Sequence, residues 1–241
     1  MKLFTILLML VLTPLWATAA PFTPEQEARI KQMIRETLVA NPDILAQAAD
    51  AWQQQADQEQ GQVRSQIIKQ QHKILFEDPN SPRMGAEKPA LTMVLFTDYN
   101  CPYCKRFDPL LEKIIKQYPQ VALVVKFLPF KGESSVSSAR IALTTWKQHP
   151  EQFWALHQRL MAKKGFHDDA SIAAAEQKTG VKHVEPNEES AGELAINMQL
   201  AQQLGIQGTP ATLIGDELVP GAISYEQLED VIKEQLAKIK K

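Results

Sequence analysis

Residues 89–118 read PALTMVLFTDYNCPYCKRFDPLLEKIIKQY and hold both cysteines of the chain, Cys101 and Cys104. Pro89 to Thr97 has the composition of a buried strand. Phe107, Leu110, Leu111, Ile114, Ile115 and Tyr118 then recur at helical spacing. The cysteine pair therefore falls at a strand-to-helix turn, with Pro102 suited to the first helical position. That placement sets Cys101 beside the free amides and positive end of a helix, which stabilise a thiolate. Lys105 and Arg106 add positive charge. Cys104, one turn inside, is expected to be more buried and protonated. Tyr103, between the two, is expected to tune their potential and offer an apolar contact. Asp98 ends the strand; its carboxylate suits either a helix cap or proton transfer at Cys104. Pro109 marks a break or kink in the helix.

Three uses of the pair compete. A structural disulfide over four residues would stabilise the fold by only roughly 2 kcal/mol in the chain-entropy model, a poor use of the only two cysteines. A closed zinc site needs four ligands. The histidines, His72, His149, His157, His167 and His183, form no closely spaced pair, so the pattern calls for no resident metal; two thiolates alone can hold Cu(I). The third use, a redox dithiol that exchanges readily, fits the strand–turn–helix context. Cys101 then attacks or is attacked, and Cys104 resolves the mixed disulfide. No cofactor is called for.

A second signature lies at residues 203–221, QLGIQGTPATLIGDELVPG. Thr209-Pro210 precedes a short β-like segment, Ala211 to Ile214. A turn at Gly215-Asp216 leads to a second, Glu217 to Val219. Alone this motif marks only a turn or an edge strand.

Together, CPYC and the downstream Thr-Pro resemble the thioredoxin superfamily and, more closely, the periplasmic Dsb thiol–disulfide oxidoreductases, over about residues 88–241. FTDYNCPYCKRF and GTPA are similar to the isomerase members, which also have threonine before the proline; the N-terminal half is similar to the ScsC/Com1-like branch. The resemblance implies an α/β thioredoxin fold and a cis-proline at Pro210 facing Cys101 and Cys104. It further implies substrate contacts at Thr209, Pro102 and Tyr103, with Thr209 offering its backbone to an extended substrate strand. The kinked helix of the family matches Pro109. Expected partners are proteins carrying thiols or disulfides and a membrane redox protein of DsbD or DsbB type. The balance leans toward isomerase or reductase, with a DsbA-like oxidase or a Cu(I)-binding dithiol as alternatives.

Between the signatures, residues 131–206 read as a helical insertion, after a strand at Val121 to Phe130. The terminal segment opens with a capping box, Ser224 and Gln227. Its apolar face is Leu228, Val231, Ile232, Leu236 and Ile239. Thr23, Pro24 and Gln26 start a helix near the other end, and Ile30, Ile34 and Leu38 follow at helical spacing. A longer, glutamine-rich segment runs from about Pro42 to Phe76 and is interrupted by Gly61. Its sparse apolar positions suit an arm that pairs with copies of itself. Residues 1–19, with one lysine, a short apolar run and Ala17-Thr18-Ala19, read as a secretory signal peptide. The expected organisation is this signal, an arm over 20–78 that makes a homo-oligomer, a linker over 79–88, and a catalytic domain over 89–241. The expected location is an oxidising bacterial periplasm. Lysine plus arginine number 26 against 28 acidic residues, and no basic block stands out, so no nucleic-acid partner is expected.

Overall fold

The computed structural model describes residues 22–239; the expected signal peptide lies outside them. The chain divides into two compact units between Gln58 and Glu59.

The first unit is helical. Helix α1, Pro24–Ala40, begins in a capping box in which the Thr23 hydroxyl accepts from the Gln26 N–H and the Gln26 side chain accepts from the Thr23 N–H. None of its residues is buried. Helix α2, Asp43–Gln70, continues from the first unit into the second and runs through Gly61 without a break. The interruption expected there does not occur: a helical glycine costs only about 1 kcal/mol, which its neighbours offset.

In the second unit, α3 (His72–Phe76) leads into a five-stranded sheet. Its strands are β1 (Arg83–Gly85), β2 (Leu91–Thr97), β3 (Val121–Phe127), β4 (Ala211–Ile214) and β5 (Glu217–Pro220), in the spatial order β1-β3-β2-β4-β5. Helix α4 (Pro102–Gln117) connects β2 to its parallel neighbour β3, while β4 runs antiparallel to both β2 and β5. Between β3 and β4 lie α5 (Glu133–Gln148), α6 (Pro150–Ala162), α7 (Asp169–Thr179) and α8 (Glu188–Gln203). Helix α9 (Tyr225–Ile239) closes the order with the expected Ser224–Gln227 box. This is the α/β thioredoxin fold with helices inserted before its last two strands.

The central strands explain where the site sits. Every residue of β3 is buried, and all but Thr92 of β2, as expected where both sheet faces are covered. Leu91, Met93 and Leu95 join a core with Phe107 and Leu111 of α4, Phe153 of α6 and Leu228 of α9. Val94 and Phe96 point the other way, to a second core with Leu75, Leu200 and Leu204. Helix α4 buries Cys104, Phe107, Asp108, Leu111 and Ile114 along its length, and its first turn follows directly on the end of β2.

Candidate active site

Cys101 is the N-cap residue of α4 and Pro102 the first helical position. The Cys101 N–H donates to the Asp98 carbonyl at 3.0 Å, and the Cys101 carbonyl accepts from the Lys105 N–H at 3.1 Å. Both cysteines are free thiols, each 2% exposed. Pro102 and Tyr103, by contrast, face solvent. The Tyr103 ring lies under the Arg106 guanidinium, 4.6 Å from its centroid.

The distant Thr-Pro segment meets this turn. The Thr209-Pro210 peptide is cis, and Cys101 Sγ donates to the Thr209 carbonyl oxygen at 3.1 Å across 108 residues of chain. The Pro210 carbonyl accepts from the Gly221 N–H at 2.8 Å, which fastens the loop to the end of β5. Thr209 is half-buried.

The two thiols differ sharply in acidity. The Cys101 pKa is lowered to about 5, first by the hydrogen bond from the Cys104 thiol and then, against the opposing effect of burial, by the backbone N–H of Cys104, by the Thr209 side chain and by the Tyr103 N–H. Burial raises Cys104, and its hydrogen bond to Cys101 adds to this; a hydrogen bond with Thr97 opposes. A thiolate at Cys101 and a thiol at Cys104 therefore coexist at neutral pH, the arrangement needed for exchange with a disulfide.

Asp98 is a structural acceptor. Its Oδ1 accepts from the Asn100 N–H at 2.8 Å and the Ser135 hydroxyl at 2.7 Å, and its Oδ2 accepts from the Lys131 N–H at 3.0 Å. The expected helix cap does not form, since Cys101 is the N-cap of α4 and no side chain caps it; Asp98 instead ties the turn to Lys131 and to Ser135 of α5. Sequence reasoning missed a buried chain in which the Tyr99 hydroxyl lies 2.9 Å from His157 Nδ1 and His157 Nε2 lies 2.9 Å from Asp108 Oδ1. It links the residues before and after the cysteines to α6. Its members lie 58 and 49 residues apart, and no local spacing announces the pairing. Pro109 lies inside α4, which continues past it to Gln117; the alternative of a break there does not occur. Among the described residues no group of three or more histidine, cysteine or acidic side chains is arranged to hold a metal.

Comparison with known proteins matches the same regions. The family model of the DSBA-like thioredoxin domain covers residues 92–233, and that of the copper resistance protein ScsC N-terminal domain covers residues 26–59. A periplasmic thioredoxin-like protein from Salmonella enterica serovar Typhimurium is 60% identical, with 69% of this chain and 95% of that chain covered and a TM-score of 0.68. Proteus mirabilis ScsC in a transitional conformation is 50% identical, covering 90% of this chain and 100% of that one, with a TM-score of 0.71. Among sequences, disulfide bond formation protein D of Bacillus subtilis is 25% identical over 170 residues, 64% of this chain and 77% of that protein. The chain belongs to the DSBA-like thioredoxin domain family.

Proposed function

We propose that this protein is an exported thiol–disulfide oxidoreductase that reshuffles or reduces disulfides in other proteins of the bacterial periplasm. The observation that carries the reading is the Cys101 sulfur at the N-cap of α4, 3.1 Å from the Thr209 carbonyl, with its thiol held near pKa 5 while Cys104 is held up. The Cys101 thiolate attacks one sulfur of a substrate disulfide. A Cys101–substrate bond forms, the substrate S–S bond breaks, and the second substrate sulfur leaves as a thiolate. In isomerisation a substrate thiolate displaces Cys101, which returns unchanged. In reduction Cys104 loses its proton and attacks, leaving a Cys101–Cys104 disulfide and a reduced substrate. A membrane reductant of DsbD type then supplies two electrons and returns the pair to the dithiol; a DsbB-type oxidant would serve the opposite, oxidase direction.

Threonine before the cis-proline supports the isomerase or reductase direction, as in the Dsb isomerases this site resembles. Pro102 and Tyr103, exposed beside the sulfur, and the Thr209 backbone are the proposed substrate contacts. The match to the ScsC N-terminal domain over residues 26–59 and the exposed apolar side chains of α1 support self-association through the arm. A second reading, Cu(I) held by the same two sulfurs, draws on the copper resistance named in that N-terminal family.

The test is recovery of activity by a client protein with scrambled disulfides, in a little reductant. Recovery that is abolished in Cys101→Ala establishes the isomerase, and Cys104→Ala then accumulates mixed disulfides. Rapid oxidation of a reduced client without any recovery from scrambling makes the protein an oxidase instead. Stoichiometric Cu(I) binding with no exchange of any disulfide selects the copper reading.

A further inference from the structure

The loop of residues 163–167, between α6 and α7, is fastened on both sides of the cysteine pair. Lys105, the residue after Cys104, donates from Nζ to the Lys163 carbonyl at 2.5 Å and the Gly165 carbonyl at 2.7 Å. Asn100, the residue before Cys101, accepts at Oδ1 from the His167 N–H at 2.7 Å. Its Nδ2 donates to the Ser134 hydroxyl at 2.8 Å. Lys163 Nζ also donates to the Phe166 carbonyl within the loop. Phe166 thus lies one residue from each anchor, yet the residue is 58% exposed. Tyr103, between the cysteines, is 56% exposed. Aromatic residues kept open to water on a tethered backbone, beside a reactive sulfur, have the character of a contact surface.

The charged side chains next to these rings in sequence are mostly basic. Lys105, Arg106, Lys163 and Lys164 surround them in sequence and through the loop's anchors, and among the described residues none of the four forms an ion pair. Two exposed acids, Asp168 and Asp169, follow the loop, and the Lys163 charge acts on Asp168, but the four cations outnumber them. Asp98 is buried with three donors. Asp168 caps α7 by accepting from the Ser171 N–H, and Asp169 lies in the first turn of that helix.

We propose that Tyr103 and Phe166, with Lys105, Arg106, Lys163 and Lys164, form a specificity surface for the acidic, apolar-bearing stretch of a substrate polypeptide that flanks its reactive cysteine. The inference rests on the oxidoreductase reading and deepens it. A substrate sulfur that reaches Cys101 lays its neighbouring residues across the first turn of α4 and the loop that turn holds. The backbone at Thr209 accepts an extended strand of any sequence, whereas this surface reads side chains. Unpaired cations there favour carboxylates, and like charges on a substrate are repelled.

The test uses the full chain and three peptide disulfides that differ only around the cysteine: aspartate with phenylalanine, serine with phenylalanine, and lysine with phenylalanine. Hydroxyethyl disulfide serves as the small neutral reference. Exchange rates are measured by stopped-flow at low and high salt. The acidic peptide is expected to react about tenfold faster than the basic one at low salt, with the gap narrowing as salt screens it. The double variant K164Q/F166S, altered at two exposed positions, is expected to lower the ratio of the acidic-peptide rate to the reference rate several-fold. Equal rates for the three peptides, or an unchanged ratio in the variant, overturn the surface while leaving the oxidoreductase standing. Failure to react even with hydroxyethyl disulfide overturns the oxidoreductase reading and the surface with it.

Discussion

Cys101 and Cys104 are identical side chains one helical turn apart, and position alone separates their chemistry. Cys101 meets the Cys104 thiol and the first amides of α4, and its pKa falls to about 5; Cys104 sits deeper and its pKa rises. The depressed value makes a prediction with a definite sign. Because the folded pKa lies below the ordinary thiol value of 9.0, the thiolate stabilises the reduced protein above that ordinary value. The contribution is lost as pH falls through about 5. Relative to Cys101→Ser, the reduced chain is expected to gain on the order of 2 kcal/mol between about pH 5 and about pH 7, measured by denaturant unfolding at each pH. The Cys104 shift adds nothing in that window, since Cys104 is a thiol in both states there. Ultraviolet thiolate absorbance of the reduced protein should show a midpoint near 5 that disappears in Cys101→Ser. A midpoint in the ordinary thiol range would remove the asymmetry on which the proposed chemistry stands.

Among the elements, two glycines make opposite predictions. Gly85 ends β1 at φ +92°, and a Cβ there would lie 2.4 Å from the Val121 carbonyl oxygen. Gly85→Ala is expected to cost roughly 2 kcal/mol or more, through backbone strain and the lost β1–β3 register. Gly61 lies within α2, and a Cβ there meets nothing within 4 Å. Gly61→Ala is expected to stabilise the chain by about 0.5–1 kcal/mol. Thermal unfolding of both variants reads the two signs. The same elements show what sequence reveals. Strand β2, helix α4 and helix α9 were legible because their apolar spacing is strong and local. The Cys101–Thr209 contact was legible only through family resemblance, since no periodicity joins residues 108 apart. Strand β1 falls in what reads as a linker over 79–88: its three residues carry no alternation, and their pairing comes from β3. The continuity of α2 through Gly61, and the Asp98 and His157 networks, were decided by context that spacing does not encode.

For the whole molecule, one buried cation joins three parts of the second unit. Lys126 of β3 is 0% exposed and pairs with Asp78 at 2.9 Å and with Glu193 of α8 at 3.1 Å. Burial pushes both carboxyls up. The Lys126 hydrogen bond and charge overcome this at Asp78, which ends below its ordinary value, while Glu193 stays raised. Lys126→Met leaves two carboxylates without their cation and is expected to cost about 3–5 kcal/mol near neutral pH. The loss should be smaller in acid, where the carboxyls are neutral; an equal loss at both would assign the effect to packing. The first unit raises the opposite problem, apolar groups without a core. Helix α1 buries no residue, and Met33, Ile34, Val39, Ile44, Leu45 and Trp52 are all exposed. Such side chains gain by leaving water, about 25 cal/mol per Å² of apolar area buried, and the proposed self-association supplies that burial. Sedimentation of the full chain is expected to show an oligomer. Ile34→Asp with Leu45→Asp, on surface positions whose exchange leaves the second unit's core intact, should sediment as a monomer. The monomer should still exchange a small disulfide, because Cys101, Cys104 and Thr209 all belong to the second unit. A monomeric parent chain would deny the arm this role and leave its apolar side chains to a different protein.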